Sequence, residues 1–287
     1  MNSNGNEVEV VAGAPPSRRR APWPLIILTA LFIIVPFLTW YGTWFGRTLS
    51  DDQVATYLAD EKNPRHIQHA LSQVSDRIER HNPNVKQFYP QVVALSKHPV
   101  GEIRKTTAWL MGQDNTSEEF HRALAALLND SEPLVRRNAA LQLVRFGDPS
   151  GRPELRAMLQ SFDAKSSIAG TVVSLLPQGS KINAGALLAR IRDASNTVQE
   201  FRSPVNGAIG SLVVKEGESV SVEQTIVILT PDQATVIDAL RALAYVGTKE
   251  DLPLIEKFGQ AIAPVDTGIN QQAALTAKAI ESRVGKS

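Results

Sequence analysis

The pattern of hydrophobic and polar positions changes three times along the chain. Residues 23–45 form an almost unbroken apolar run. From Asp51 onward, apolar residues recur at helical spacing, and this spacing returns at Val236. In between, residues 168–230 alternate apolar with polar positions and contain regularly placed glycines, as expected for short strands joined by turns. The pattern therefore predicts a multidomain α + β chain.

The apolar run predicts a single transmembrane helix over residues 22–46. No charged residue lies between Arg20 and Arg47. About 22 residues rise about 33 Å in a helix, which is enough to cross the apolar core of a bilayer. A cleaved signal peptide is the alternative, but its apolar core is usually only roughly 7 to 15 residues long. The length of the run therefore favours an uncleaved anchor.

The charges beside this run predict its orientation. Three arginines, residues 18–20, precede it, and Arg47 is the only base close to its other end. Residues 1–21 are predicted to form a disordered tail. Because positive residues stay on the cytoplasmic side, this tail is predicted to be cytoplasmic. The bulk of the chain would then be extracytoplasmic, in the periplasm of a cell with two membranes. The membrane would be one partner, and the inner membrane the location.

Residues 47–164 and 232–287 are predicted to form pairs of short amphipathic helices. The clearest pair lies between Ser117 and Gly147, where residues 129–131 separate two apolar stripes. Successive helix pairs of this length are typical of an all-α solenoid, in which each pair packs on its neighbours.

One motif in these helix pairs resembles a known family. Its residues are Asp130, Val135, Arg136, Ala139 and Ala140, with Ile103, Arg104 and Ala108 as a weaker copy. With them the chain resembles HEAT-like repeats, and the resemblance implies a curved surface that binds proteins. Arg136 and Arg137 could bind an acidic partner, but the favoured interpretation is a repeat-stabilising arginine, Arg136, beside a solvated one, Arg137. The arginine is missing from the unit at Val236, so an Asp-to-Arg ladder is not expected to continue there.

The helical regions predict that the strand-rich stretch interrupts one repeat. Residues 153–159 have the pattern of a first helix with no second helix after it, and residues 235–245 have the pattern of a second helix with no first. The simplest interpretation makes residues 165–231 an insertion inside a single repeat. Insertions into solenoids lie on one face, which is often the binding face.

The strand-rich stretch contains one short pattern twice. Gly179 and Gly217 occupy matching positions in the two halves, each in a turn where a positive φ angle favours glycine. Two such halves can close into a flattened barrel that buries both sets of alternating side chains.

The second half of this stretch carries a more specific motif. Its residues are Ser203, Pro204, Val205, Asn206, Gly207, Ile209, Val213, Lys215, Glu216, Gly217, Val220 and Ile226. With them residues 165–231 resemble the lipoyl and biotinyl domain family, an all-β barrel-sandwich hybrid, and especially its version in periplasmic adaptor (membrane-fusion) proteins. Enzyme members carry a cofactor on a hairpin lysine, and the corresponding position here is Asn196. An amide cannot form the acyl linkage, so the resemblance implies a domain without a cofactor.

The hairpin also bears on the adaptor comparison. In adaptor proteins of this family, a long helical coiled coil replaces the hairpin and reaches an outer-membrane channel. Residues 192–200 form only a short polar connection here. The usual channel-docking device is therefore missing, and the helical repeats are expected to supply the contact surface instead.

Composition and motifs exclude several kinds of chemistry. The chain has no cysteine, so disulfides, thiolate metal sites and cysteine nucleophiles are excluded. Its formal net charge of +1 provides no overall field that would attract nucleic acid. It contains no nucleophile elbow, phosphate-binding loop or dinucleotide motif. His66 and His69 share a helix face, but no carboxylate or third histidine has an evident position beside them, so a solvated face is favoured over a metal site.

The sequence therefore favours a non-enzymatic, membrane-anchored extracytoplasmic scaffold that binds partner proteins of a membrane complex. No catalytic, cofactor-binding or metal residue is expected, and no small-molecule substrate is evident. The alternative is a periplasmic adaptor subunit of an export or efflux transporter. An enzyme or cofactor carrier is the third and least favoured hypothesis.

Overall fold

The computed structural model describes residues 23–40, 48–259 and 267–284 of the 287-residue chain. The chain divides into two compact units, Met1–Thr48 and Leu49–Ser287. Each unit is described by itself.

The first unit contains helix α1 (Trp23–Trp40), inside the segment predicted to span a membrane. Across the described residues, no helix combines the length and the apolar character needed to cross a bilayer. The prediction of a single transmembrane helix is therefore wrong. The 18 residues of α1 rise only about 27 Å, less than the roughly 30 Å apolar core of a bilayer. The predicted membrane partner and location rested on this span, and the predicted tail, residues 1–21, lies outside the described residues.

The second unit is a mixed α/β structure with two antiparallel sheets. The predicted fold class, a transmembrane helix with α and β domains, is corrected to this mixed α/β structure. Its helices are α2 (Asp51–Leu58), α3 (Pro64–Glu79), α4 (Tyr89–Leu95), α5 (Gly101–Met111), α6 (Glu118–Leu127), α7 (Pro133–Leu143), α8 (Arg152–Ala157), α9 (Gln233–Val246), α10 (Leu252–Gly259) and α11 (Thr267–Val284). Short 3-10 helices are Val85–Phe88, Val144–Phe146, Pro149–Gly151 and Lys249–Asp251.

Local sequence signals fix several helix starts. The Ser50 hydroxyl caps α2 and forms a reciprocal capping box with Gln53. Ser117 and Asp232 cap α6 and α9, because each side chain accepts a hydrogen bond from the backbone N–H three residues later. Pro133 occupies the first turn of α7, where the missing N–H costs nothing.

The helices pack as pairs whose second members lie side by side. Helix α3 contacts α5, α5 contacts α7, and α9 contacts α11. Two clusters of buried side chains run through these contacts. The first includes Ile67, Leu71, Ile103, Leu110, Phe120, Leu124 and Leu143. The second includes Leu155, Val236, Leu240, Leu243, Ile255 and Ile280. Burying stripes of this kind is what stabilises short helices that would be marginal alone.

The sheets lie between α8 and α9 in the sequence, and α8 contacts α9 directly. Their strands are β1 (Phe162–Lys165), β2 (Gly170–Leu175), β3 (Lys181–Ile182), β4 (Leu187–Arg192), β5 (Val198–Arg202), β6 (Gly207–Leu212), β7 (Ser219–Val220) and β8 (Thr225–Thr230). The strand orders are β1-β8-β6-β3 and β5-β4-β2-β7, and every pair is antiparallel.

One apolar core joins the two sheets. Alternate residues of both sheets contribute to it, including Val172, Leu188, Ile191, Ile209, Ile226 and Leu229. Gly179 and Gly217 have φ angles of 84° and 86°, as the turns predicted for them require. Below, β1–β8 are called the two-sheet module.

Candidate functional site

A ladder of arginines connects consecutive helix pairs. The Arg104 guanidinium on α5 donates from Nε and Nη2 to the two carboxylate oxygens of Asp130, at 2.6 and 2.8 Å. Its Nη1 donates to the His98 carbonyl at 2.8 Å. Burial acts to raise the pKa of Asp130, but hydrogen bonds and the Arg104 charge outweigh it and hold that pKa below its ordinary value.

The next pair repeats this geometry. Arg136 on α7 donates from Nη1 to the Asp130 carbonyl at 2.8 Å and from Nε to Glu154 at 3.1 Å. At α9 the arginine is absent, as the sequence indicated, and the contact is made differently: Arg156 on α8 pairs with the fully buried carboxylate of Asp251. These contacts fix the stacking of the helices, so they are structural.

Arg137 lies in an environment that the sequence did not indicate. Its side chain was expected to be solvated, but it is buried. The guanidinium lies 5.9 Å from the centre of the Phe162 ring on β1, and Nε is 3.7 Å from Glu154. Burial lowers the pKa of Arg137, while the Glu154 carboxylate opposes that effect. Arg137 therefore connects α7 and α8 to the first strand of the two-sheet module.

Asn196 lies in the turn between β4 and β5, at the exposed end of the hairpin. Its φ angle is 62°, a left-handed conformation that asparagine tolerates. Hydrogen bonds from Ser195, Gln199 and Thr197 to the Asp193 carboxylate hold this turn together, and they lower the pKa of Asp193 to about 2. No atom of the Asn196 side chain can take part in an acyl linkage to a carboxylic cofactor.

An open pocket of about 470 Å³ lies where the two-sheet module meets the start of α9. It is lined by Lys181, Ile182, Asn183, Gly207, Ala208, Asp232, Gln233 and Ala234. Asp232 is already engaged as the cap of α9, accepting from the Thr235 N–H at 2.8 Å. The lining contains one lysine and one carboxylate but no nucleophile with an adjacent base, so it does not form a catalytic arrangement.

The histidine pair has neighbours that the sequence did not reveal. His66 Nδ1 lies 2.7 Å from Asp60, and its ring stacks on Tyr57 with 4.1 Å between the centroids. The Tyr57 and His69 rings are 6.2 Å apart. Asp60 could not be placed beside His66 from helical spacing because it precedes α3. Within the described parts of the chain, no three or more His, Asp or Glu side chains come together as a metal site would require.

Large apolar side chains are exposed on the second helices of the pairs. Trp109 on α5 is 44% exposed, and Tyr245 on α9 is 75% exposed. Glu102, Lys105 and Trp109 follow helical spacing along the side of α5 opposite its buried residues. An exposed tryptophan on a rigid helix is the kind of group that anchors a protein interface.

Comparison with protein families supports the helical part of this description. The model of a family described as HEAT repeats matches residues 90–170, from α4 to the start of β2. The predicted resemblance to HEAT-like repeats is confirmed over this part of the chain.

No curated protein matches the chain. Among solved structures, the chain is similar to a single-chain, multi-domain long-chain acyl-CoA carboxylase, with 18% identity over 43% of this chain and a TM-score of 0.24. The match spans only 14% of that protein's length. With so low a TM-score, the likeness carries no argument about fold or function.

Proposed function

We propose that this chain is a non-enzymatic scaffold whose HEAT-like helices bind a partner protein. The observation that carries the proposal is the exposed Trp109 side chain on α5. Tryptophan is enriched at the energetic centres of protein interfaces, because it buries a large area at a small cost in side-chain entropy.

The repeat geometry shows what occupies the position of Trp109 in the neighbouring pair. Arg104 and Arg136 make equivalent contacts in neighbouring pairs, so α5 and α7 can be aligned on them. This alignment gives Leu141 the position in α7 that Trp109 has in α5, and Leu141 is partly exposed. Leu141 packs against the second cluster of buried side chains, so at this repeat position the exposed apolar group is Trp109.

The proposal is tested by identifying proteins cross-linked to the intact chain in its source cells. Wild type, Trp109→Ala and Trp109→Phe are compared by quantitative mass spectrometry. We expect one partner set to be lost in Trp109→Ala and largely kept in Trp109→Phe, because the aromatic anchor is kept. Recovery of the same proteins with all three chains would show that α5 is not the binding surface.

We also propose that the two-sheet module is a lipoyl/biotinyl-like module that carries no cofactor. Two four-stranded antiparallel sheets around one core support it, as do the matching turns at Gly179 and Gly217. Intact-mass measurement after co-expression with biotin and lipoate ligases tests this. We expect no added mass on wild type and an added mass on Asn196→Lys. An unmodified Asn196→Lys chain, still folded, would count against the resemblance.

The short connection between β4 and β5 does not support the alternative role as an adaptor for an export pump. The connection between β4 and β5 is a tight turn closed by the hydrogen bond from the Asp193 N–H to the Thr197 carbonyl, at 2.9 Å. A turn this short offers no coiled coil that would reach a channel.

A further inference from the structure

Strand β5 has an open edge. It is the terminal strand of its sheet, and within the described residues only β4 pairs with it. Residue pairs of an antiparallel ladder alternate between hydrogen-bonded and non-hydrogen-bonded pairs. The Asp193–Thr197 hydrogen bond marks a hydrogen-bonded pair, so the next pair, Arg192 with Val198, is not hydrogen-bonded. Val198, opposite Arg192, and Glu200, opposite Arg190, therefore occupy positions whose backbone N–H and C=O groups point away from β4. These groups are available to another strand.

The exposed face beside this edge is rich in arginine. Arg190 and Arg192 on β4 are exposed, and so is Arg202 on β5. Glu200 is the one carboxylate on this face of β4 and β5, and it forms an ion pair with Arg202. The Arg202 guanidinium also donates to the Gly185 carbonyl at 2.7 Å. The face therefore keeps an excess of positive charge, most of it on β4.

We propose that β5 and the arginines of β4 bind an extended acidic segment of a partner protein, which adds to the sheet as a further strand. Main-chain hydrogen bonds to the open edge would supply affinity. The added strand would lie next to β5 and about 10 Å from β4, so its carboxylates would be attracted by the long side chains of Arg190 and Arg192 reaching across β5. The exposed Val198 side chain, on β5 opposite Arg192, provides an apolar contact on the same face. This proposal goes beyond the scaffold function and does not depend on Trp109.

A peptide suits this surface better than a nucleic acid. Single-stranded nucleic acids need exposed aromatic rings on which bases stack. The one aromatic residue of β4 and β5, Phe201, packs against the core of the two-sheet module. An open strand edge, in contrast, provides donors and acceptors at the spacing of a peptide backbone.

The test uses the full chain and fluorescent peptides of one length. The first peptide alternates Glu and Val, the second alternates Lys and Val, and the third is the Glu-Val peptide with alternate backbone nitrogens methylated along one edge. We expect saturable binding of the Glu-Val peptide, measured by fluorescence anisotropy. The other two peptides should bind at least about tenfold more weakly. The Lys-Val peptide lacks the opposite charge, and the methylated peptide cannot complete the strand pairing.

Protein variants test the arginines separately. The double variant Arg190→Glu, Arg192→Glu should bind the Glu-Val peptide about tenfold more weakly, whereas Arg190→Lys, Arg192→Lys keeps the charge and should lose little. Circular dichroism establishes that both variants are folded, and Arg192→Gln alone provides a milder change. Equal binding of the methylated peptide, an unaffected charge-reversal variant, or tighter binding of a single-stranded oligonucleotide would each overturn the proposal.

Discussion

Arg104 on α5 and Asp130 in the turn before α7 form an ion pair joined by two hydrogen bonds, and both side chains are nearly buried. Removing Asp130 leaves the nearly buried Arg104 cation with only the exposed Glu132 carboxylate, at 3.4 Å, as its counter-ion. We therefore expect Asp130→Ala to lower the free energy of unfolding by about 2 to 4 kcal/mol. Urea titration followed by circular dichroism measures this change.

Arg122 provides the control for that substitution. Its side chain is 71% exposed and lies 4.0 Å from Glu118 on the same helix. Exposed pairs of this kind contribute little, so Arg122→Ala should change the free energy of unfolding by less than about 0.5 kcal/mol. Equal costs for Asp130→Ala and Arg122→Ala would mean that the ladder does not stabilise the stack.

The same pair predicts a dependence of stability on pH. The pKa of Asp130 in the folded chain lies below its ordinary value of 3.8. A lowered carboxylate pKa contributes stability that is present above the ordinary pKa and is lost as pH falls through the lower, folded value. Asp130→Asn should therefore flatten the loss of stability on acidification relative to wild type. Urea titrations at a series of pH values down to about 3 measure it, and parallel curves would contradict it.

The sequence predicted the helical repeats because their signals are local. Ser117 followed by an apolar stripe indicated the start of α6, and the structure has Ser117 capping the Phe120 N–H there. Arg104 and Arg136 were recognisable because the same residue type recurs beside the same apolar positions. Gly179 and Gly217 could be assigned to turns because only a positive φ angle explains glycine at both matching sites.

Two of the failures share one physical cause, which is that partners distant in sequence leave no local pattern. Arg137 was expected to be solvated because nothing near it in the sequence indicates the Phe162 ring that covers it. Asp60 lies beside His66 only because the chain turns before α3. The transmembrane prediction rested on the apolar composition of a run, whereas α1, the helix described within that run, has 18 residues.

A close backbone contact predicts the effect of adding one methyl group at Gly170. A Cβ atom there would lie 2.3 Å from the Arg192 carbonyl oxygen, where β2 pairs with β4. Because the sheet would have to shift, we expect Gly170→Ala to destabilise the chain by about 1 to 3 kcal/mol. Gly259→Ala is the control, since open space surrounds Gly259 at the end of α10. Thermal unfolding should show a loss only for Gly170→Ala, and a matching loss in the control would remove the explanation.

Arg137 and Glu154 allow a test of how the two-sheet module is attached to the helices. Glu154 keeps its contact with Arg136 at 3.1 Å when Arg137 is replaced, so Arg137→Met should change the free energy of unfolding by less than about 1.5 kcal/mol. Glu154→Gln leaves the buried Arg137 cation without its carboxylate and should cost about 2 to 4 kcal/mol. Combining both substitutions should cost less than their sum, because the unpaired cation is gone. Additive costs in urea titrations would show that the two side chains are not coupled, and Arg137 would then contribute to the attachment only through its contact with Phe162.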